Sequence, residues 1–154
     1  MRLIVPTFGF VSLILTTTII PQGVPDSNPS TTDLCEVLSS PARFDHQKVV
    51  VSAVAGNSFH HVDFWKPECG RHNISIHTRF SDENGLEQPS AKRYFRMLRK
   101  EGAVGVTFEG TFESTGGPFG SELARFELVI SSVVEVKKLS KEYRERFDIG
   151  SGKF

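Results

Sequence analysis

The sequence has little cysteine and no excess of charge of either sign. Two cysteines in 154 residues are too few for a multi-disulfide scaffold or for a four-thiolate zinc site. Lysine and arginine together number 18, as do aspartate and glutamate, so the formal net charge is zero and the pI is about 7.0. This balance excludes a global electrostatic attraction to nucleic acid or to an anionic membrane, and it leaves only a local basic patch to consider.

Motifs of hydrolytic catalysis are also missing. The chain contains no G-x-S-x-G, no H-E-x-x-H and no phosphate loop in which lysine follows glycines. The segment 116–120 (GGPFG) is rich in glycine, but its proline and the lack of a following Lys-Ser or Lys-Thr predict a turn between two strands. We therefore expect a protein that is not an enzyme and that needs no cofactor.

The composition is that of one globular domain. Hydrophobic residues make up 38% of the chain and aromatic residues 10%, including 13 phenylalanines. A chain of this length can bury one core but is too short for two domains of ordinary size. The apolar content is also too high for a disordered chain. We expect a single domain with tails.

The first part of the chain has the order of residues typical of a secretory signal. Residues 3–20 carry no charge and follow Arg2, which matches a short positive end before an apolar segment. The next stretch, 21–30, contains three prolines and one glycine and is typical of a linker. We predict a signal peptide over 1–22, a linker over 23–31, one domain over 32–138 and a polar tail over 139–154, which forms either a short helix or a frayed end.

A signal peptide predicts a secreted or periplasmic protein. The alternative is an uncleaved N-terminal segment that anchors the chain, because the apolar run falls only slightly short of the roughly 20 residues that span a bilayer. No A-x-A tripeptide marks a cleavage site. A membrane is a partner of this chain only if the segment stays uncleaved.

Hydrophobic periodicity in the body of the chain predicts five strands and two helices. The clearest strand is Val104–Glu113, in which apolar and polar residues alternate. The stretch Ser90–Glu101 predicts an amphipathic helix, with Pro89 at its start and Gly102 as its stop. The other predicted elements are a short helix ending at Ser40 and strands over Lys48–Ala55, Phe59–Trp65, Ile74–Phe80 and Arg125–Val136, the last kinked at Ser131-Ser132.

Three strands, a helix and two strands form the order of the OB-fold, a partly open barrel. The predicted fold is therefore mainly β: a five-stranded OB-like barrel with a helix between strands three and four and a short N-terminal helix. In that fold the second and third strands and their connecting loops form the usual binding face.

The opening of the domain also resembles known proteins. The segment 34–38 (LCEVL), Pro41, Phe44-Asp45 and the run 48–51 (KVVV) resemble the start of small OB-like domains in bacterial secreted proteins of unassigned function, and more distantly of anticodon-binding-like domains. The resemblance covers roughly 31–137. The sequence departs from it at His46, where a turn glycine is usual, and at Ala53, where a strand glycine is usual.

Cys35 and Cys69 are the only thiols, and export would bring both into an oxidising compartment. The simplest prediction is a disulfide between them, with two free thiols as the alternative. Closing a loop of about 35 residues stabilises a domain by about 3.5 to 4 kcal/mol in the chain-entropy model. The bond would tie the N-terminal helix to the turn after the second predicted strand.

Four of the five histidines lie close together in sequence, with Asp63, Glu68 and Cys69 among them. Zinc and copper accept these ligand types. The adjacent His60 and His61 would point to opposite faces of a strand, so at most one could join a given site. A disulfide would also remove Cys69 as a ligand. We therefore expect solvated histidines and no metal; the four are His60, His61, His72 and His77.

Asn73 begins an Asn-Ile-Ser glycosylation sequon, which matters only in a eukaryotic secretory pathway. Whether Asn73 is glycosylated therefore stays open at the level of the sequence.

Binding is the function that remains. The predicted helix carries five cations, which we interpret as a solvated face, and the second strand supplies aromatic residues that could stack on a ligand. The candidate ligand face consists of Trp65, His77, Arg79 and Thr107. The cations of the helix are Lys92, Arg93, Arg96, Arg99 and Lys100.

The function predicted first is an exported, non-enzymatic OB-like binding or adaptor domain whose partner is an unknown protein or an extracytoplasmic ligand. The alternative is an oligonucleotide- or oligosaccharide-binding module that uses the second and third strands. Nucleic acid is disfavoured, because the chain is neutral and an exported protein rarely meets it. An exported metal-dependent enzyme is a third and weaker hypothesis.

Overall fold

The computed structural model describes residues 31–57, 62–69, 76–81, 83–120 and 124–150. The predicted signal peptide or anchor therefore lies outside the described residues, and so does all of the predicted linker except Thr31. The helices are α1 Leu34–Ser39, α2 Pro41–Phe44, α3 Glu83–Glu87, α4 Pro89–Glu101 and α5 Lys141–Arg146. The strands are β1 Thr31–Thr32, β2 Gln47–Asn57, β3 Val62–Trp65, β4 Ile76–Phe80, β5 Ala103–Glu113 and β6 Phe126–Lys138.

The ends of α1 and α4 follow from local chemistry. The side chain of Asp33 accepts a hydrogen bond from the backbone N–H of Cys35 at 2.8 Å, which caps the start of α1. Pro89 occupies the first turn of α4, where no backbone donor is needed. Gly102 ends α4 with a φ of 72°, and its N–H donates to the carbonyl of Leu98.

The strands form one mixed sheet in the order β1, β2, β5, β6, β4. The strand β3 pairs antiparallel with the second half of β2, while the two residues of β1 pair parallel with Val50 and Val51. The pairs β2–β5 and β5–β6 are antiparallel, and β4–β6 is parallel. The mainly β fold is confirmed. The described sheet has six strands and is not closed, so the five-stranded barrel is not confirmed.

The predicted irregularity in β6 coincides with two shifts of register against β5. Ser131 and Val134 each fall between consecutive pairs of the ladder. The hydroxyl of Ser131 donates to the backbone carbonyl of Glu109 at 3.0 Å, which holds the first of these bulges. The extra residues bend β6 and increase its twist, so a long strand can curve with the sheet.

The inner face of the sheet and helices α1 and α4 enclose the main core. Phe64 and Phe108 lie with ring centroids 5.3 Å apart, and Tyr94 of α4 packs edge-on against Phe108. Burial in this core raises the pKa of Tyr94. A second, smaller cluster on the other face contains Val54, Ala103 and Leu139, with Trp65, Tyr143 of α5 and Ile149 packed against it.

The disulfide between Cys35 and Cys69 is confirmed, with Cα atoms 5.0 Å apart. It joins α1 to the 3₁₀ turn over Pro67–Cys69 that follows β3. A disulfide of this kind indicates an oxidising, extracytoplasmic environment. Within the described part of the chain, no helix combines the length and apolar content needed to cross a membrane.

Candidate functional site

Two residues of the predicted ligand face, His77 and Arg79, meet on the outer face of β4. They lie on the side of the strand opposite Ile76, which is buried in the core. Both contact Glu127 of β6: the Nδ1 atom of His77 lies 2.8 Å from Oε1, and Nε of Arg79 donates to Oε2 at 2.9 Å. Glu127 is only 5% exposed, so its charge requires partners such as these.

The glycine-rich segment lies in the loop between β5 and β6, and this loop borders the His77 ring. Gly120 has a φ of 64°, and a Cβ atom at this position would overlap the imidazole of His77. A residue with a side chain would therefore push the loop away from β4. Glycine is needed here both for its left-handed backbone and for the close approach.

Asp45 holds the start of the same loop. Its Oδ1 accepts a hydrogen bond from the backbone N–H of Ser114 at 2.6 Å, and its Oδ2 accepts one from the hydroxyl of Thr115 at 2.7 Å. These bonds, the Ser114 bond first, lower the pKa of Asp45 to about 2. The turn before β2 thus fixes the loop that reaches β4.

The other two residues of the predicted ligand face lie elsewhere. Thr107 is on the outer face of β5, six residues from the register position of Glu127, which is about 20 Å along a strand. Its hydroxyl lies 2.7 Å from that of Ser52, and the residue is only 9% exposed rather than open to solvent or ligand. Trp65 packs on the second cluster, where its ring covers Gly56 so closely that a Cβ atom would lie 2.5 Å from it.

Glu127, Gly120 and Asp45 were not among the site residues predicted from the sequence. Glu127 stands between two apolar residues of a predicted strand, and an isolated charge at such a position indicates an outward-facing residue that needs a partner. Its partners were not predictable, because they come from a strand 48 to 50 residues earlier in the chain. Asp45 could have been identified from its position directly before the turn at His46.

A second surface feature is a groove between α4, α3 and the start of β3. Its volume is about 620 Å³. Its apolar lining comes from Val62, Leu86, Phe95 and Leu98, and its polar lining from Glu87, Lys92, Arg96 and Arg99. Leu86 is 44% exposed, one of the few large apolar side chains of the described surface that stand open to solvent.

The structure describes only some of the residues that were considered as metal ligands. His60, His61 and His72 lie outside the described residues, as does Asn73 of the sequon. Cys69 is in the disulfide and His77 contacts Glu127. Among the side chains that the structure does describe, no three of His, Cys, Asp or Glu are grouped to hold a metal ion.

No protein-family model matches the chain, and no curated protein is significantly similar to it.

Proposed function

We propose that the chain is an exported, non-catalytic OB-like domain that binds a polar extracytoplasmic ligand on the outer face of β4, beside the β5–β6 loop. Two features support export: the disulfide, which indicates an oxidising compartment, and the uncharged segment 3–20 behind Arg2.

Strand pairing supports the OB-like architecture. Counted without the short β1, the described part of the chain has five strands, and α3 and α4 stand between the third and the fourth. The third and fifth of these strands, β4 and β6, pair parallel, while the fifth pairs antiparallel with the fourth and the fourth with the first. In a closed barrel β3 and β4 would also pair with each other. Here their Cα atoms approach within 8 Å. The outer face of β3 and β4 is then the usual binding face of the fold.

The observation that carries the proposal is the way Arg79 is held. Its Nε is bonded to Glu127, its side chain is 48% exposed, and its terminal nitrogens donate no hydrogen bond to any described residue. A guanidinium fixed at one nitrogen keeps its remaining donors in a set geometry. Binding a ligand therefore costs less conformational entropy than it would at a freely rotating side chain. Arg79 thus offers oriented donors at the surface.

The charges around Arg79 favour a neutral polar ligand, of which an oligosaccharide is the clearest example. Glu127 is paired to Arg79, and Glu113 lies 4.0 Å from its Nη2 atom. Two carboxylates beside one guanidinium would repel a nucleic-acid phosphate, whereas sugar hydroxyls can accept from the guanidinium and donate to the carboxylates. Oligonucleotide binding is therefore the less favoured form of the same function.

Titration calorimetry of the full chain against a panel of neutral oligosaccharides and against single-stranded DNA tests the proposal. We expect saturable binding to at least one oligosaccharide and weaker binding of the Arg79→Gln variant, by about tenfold for the loss of a charged hydrogen bond. Arg146→Gln is the matched control, since Arg146 is exposed, lies over the ring of Phe147 and belongs to α5, which packs at the opposite end of β5 from the residues that pair near Glu127. An Arg79→Gln variant that binds as well as the wild type, or no binding to any sugar, would reject the proposal.

A further inference from the structure

The outer face of α4 carries an unusual excess of positive charge. Its five cations are Lys92, Arg93, Arg96, Arg99 and Lys100. Lys92 forms a salt bridge with Glu87 at 2.6 Å, which lowers the pKa of that carboxyl. Within the described chain, Arg93, Arg96 and Lys100 have neither a salt bridge nor a hydrogen bond, and Arg99 only donates to the carbonyl of Phe95.

This arrangement is costly for the isolated domain. Like charges three and four residues apart on a helix destabilise it, and Arg96 has cations at both spacings. The helix α4 has a net charge of +4, because Glu101 is its single acid, so the rest of this neutral chain has a net charge of −4. The excess of positive over negative charge thus lies on α4, which carries five of the 18 lysines and arginines and one acid.

The groove of about 620 Å³ runs along these cations. Lys92, Arg96 and Arg99 follow one another at the spacing of one helix face and extend over about 10 Å at 1.5 Å per residue. The apolar lining includes the buried Leu98 of α4, which is 2% exposed, and the exposed Leu86 of α3. An apolar groove with one cationic wall fits an amphipathic segment whose charged border is acidic.

We propose that this groove binds an acidic amphipathic helix of a partner protein, with the apolar side chains of that helix in the groove and its carboxylates on Arg96 and Arg99. About two turns of a helix match the length of the cationic wall. The surface is separate from Arg79 and its neighbours on β4, so this proposal stands independently of the ligand proposed there. A domain with one ligand face and one helix-binding groove would act as an adaptor.

The geometry favours a helix over other anionic occupants. A single lipid or fatty acid has one head group, whereas the unpaired cations extend beyond the groove to Arg93 and Lys100. A membrane surface presents many head groups, but its flat surface would not reach the buried Leu98 of the groove. A row of carboxylates at helical spacing can meet several of the cations while its apolar face fills the groove.

The test uses the full chain with its disulfide intact and a fluorescent synthetic helix. This peptide has leucines along one face and glutamates along the borders of that face. We expect saturable binding by fluorescence anisotropy that weakens as salt is raised from about 0.05 M to about 0.5 M. Arg96→Glu should weaken binding about tenfold, and Leu86→Ser should weaken it as well at both salt concentrations. Both residues are exposed, so neither change should unfold the domain.

Arg125→Glu is the matched control, because it makes the same change of charge at an exposed position outside α4. It should leave the affinity unchanged. The proposal is overturned if the chain binds a scrambled peptide of the same composition equally well, or if Arg125→Glu weakens binding as much as Arg96→Glu. It is also overturned if the chain does not bind the peptide and instead binds laurate, vesicles rich in phosphatidylglycerol, or a second copy of itself through Arg96.

Discussion

At the scale of single residues, two adjacent residues in the turn before β2 have opposite effects on the stability of the fold. Asp45 bonds to the start of the β5–β6 loop and stabilises the fold. His46 has a φ of 57°, in the left-handed region that disfavours any residue with a Cβ atom. Glycine would adopt this backbone conformation without strain.

Replacing His46 by glycine should therefore stabilise the domain. We expect a gain of about 0.5 to 1 kcal/mol, or a few degrees in Tm, since the relief of the left-handed strain exceeds the extra entropy that glycine loses on folding. The contact of His46 with Asp45 at 3.6 Å is too exposed to offset this. Thermal unfolding followed by circular dichroism gives the Tm, and His46→Ala, which keeps a Cβ atom, should show no gain.

Asp45 should make the fold sensitive to acid. Its pKa is about 2 in the folded chain and near 3.8 when unperturbed, so its contribution to stability is present above about pH 4 and is lost as the pH falls towards 2. We expect Asp45→Asn to lower the Tm at neutral pH and to flatten its decline between pH 4 and 2. Parallel slopes for the two proteins in that window would show that Asp45 is not the group responsible.

At the scale of secondary-structure elements, the N-terminal helix is held by a small group of contacts at one place. Asp33 accepts a hydrogen bond from Nζ of Lys66 at 2.8 Å and caps α1 by accepting another from the backbone N–H of Cys35, and these bonds, the Lys66 bond first, lower the pKa of its carboxyl. The disulfide lies beside this pair. A helix of six residues is too short to be stable alone, so these bonds and the burial of Leu34 and Val37 keep it in place.

Loss of the disulfide should destabilise the domain without preventing folding. We expect Cys35→Ser to cost at most about 3.5 to 4 kcal/mol, less if the reduced unfolded chain keeps residual structure. Chemical denaturation measures the change, and Cys69→Ser should give the same value, because each variant removes one and the same bond. Intact-mass analysis of exported protein, after alkylation without reductant, checks that the disulfide is present. Two alkylated cysteines in that protein would contradict the disulfide.

At the scale of the whole molecule, the C-terminal segment completes the second apolar cluster. The stretch 139–154, predicted as a polar tail with a short helix or a frayed end, contains the helix α5, and Leu139 is 8% exposed. Arg144 donates to the backbone carbonyls of Ala103 at 2.6 Å and Glu101 at 3.2 Å, and the hydroxyl of Tyr143 donates to Glu68 at 2.9 Å. Burial and this hydrogen bond raise the pKa of Tyr143.

Trp65 reports on this packing, because it is the single tryptophan of the chain and lies in the same cluster. We expect Tyr143→Ala to destabilise the domain by about 1 to 2 kcal/mol and to shift the Trp65 emission to longer wavelength as water reaches the ring. Fluorescence and thermal unfolding measure both effects. Lys141→Ala, an exposed change on the same helix, should alter neither, and an unshifted spectrum in Tyr143→Ala would mean that α5 does not cover Trp65.

The positions of the main strands and of α4 were predictable because their signals are local. Alternation along β5 and the proline and glycine at the ends of α4 act within a few residues of the chain. The two-residue β1 was not predictable, since so short a segment has no periodicity and becomes a strand only through its pairing with Val50 and Val51. The same limit applies to the Thr107 side chain, whose hydrogen-bond partner, Ser52, lies 55 residues earlier on the neighbouring strand.

The sequence by itself determined the mainly β class, the cationic helix and the one disulfide that could form within the chain, because composition, periodicity and the absence of a third thiol are properties of the chain alone. Only the tertiary structure decided that His77 and Arg79 meet at Glu127, while Trp65 and Thr107 do not join them. It also decided that the cations of α4 border a groove. Each of these depends on which strands and helices become neighbours, and contacts between residues far apart in sequence leave no local pattern to detect.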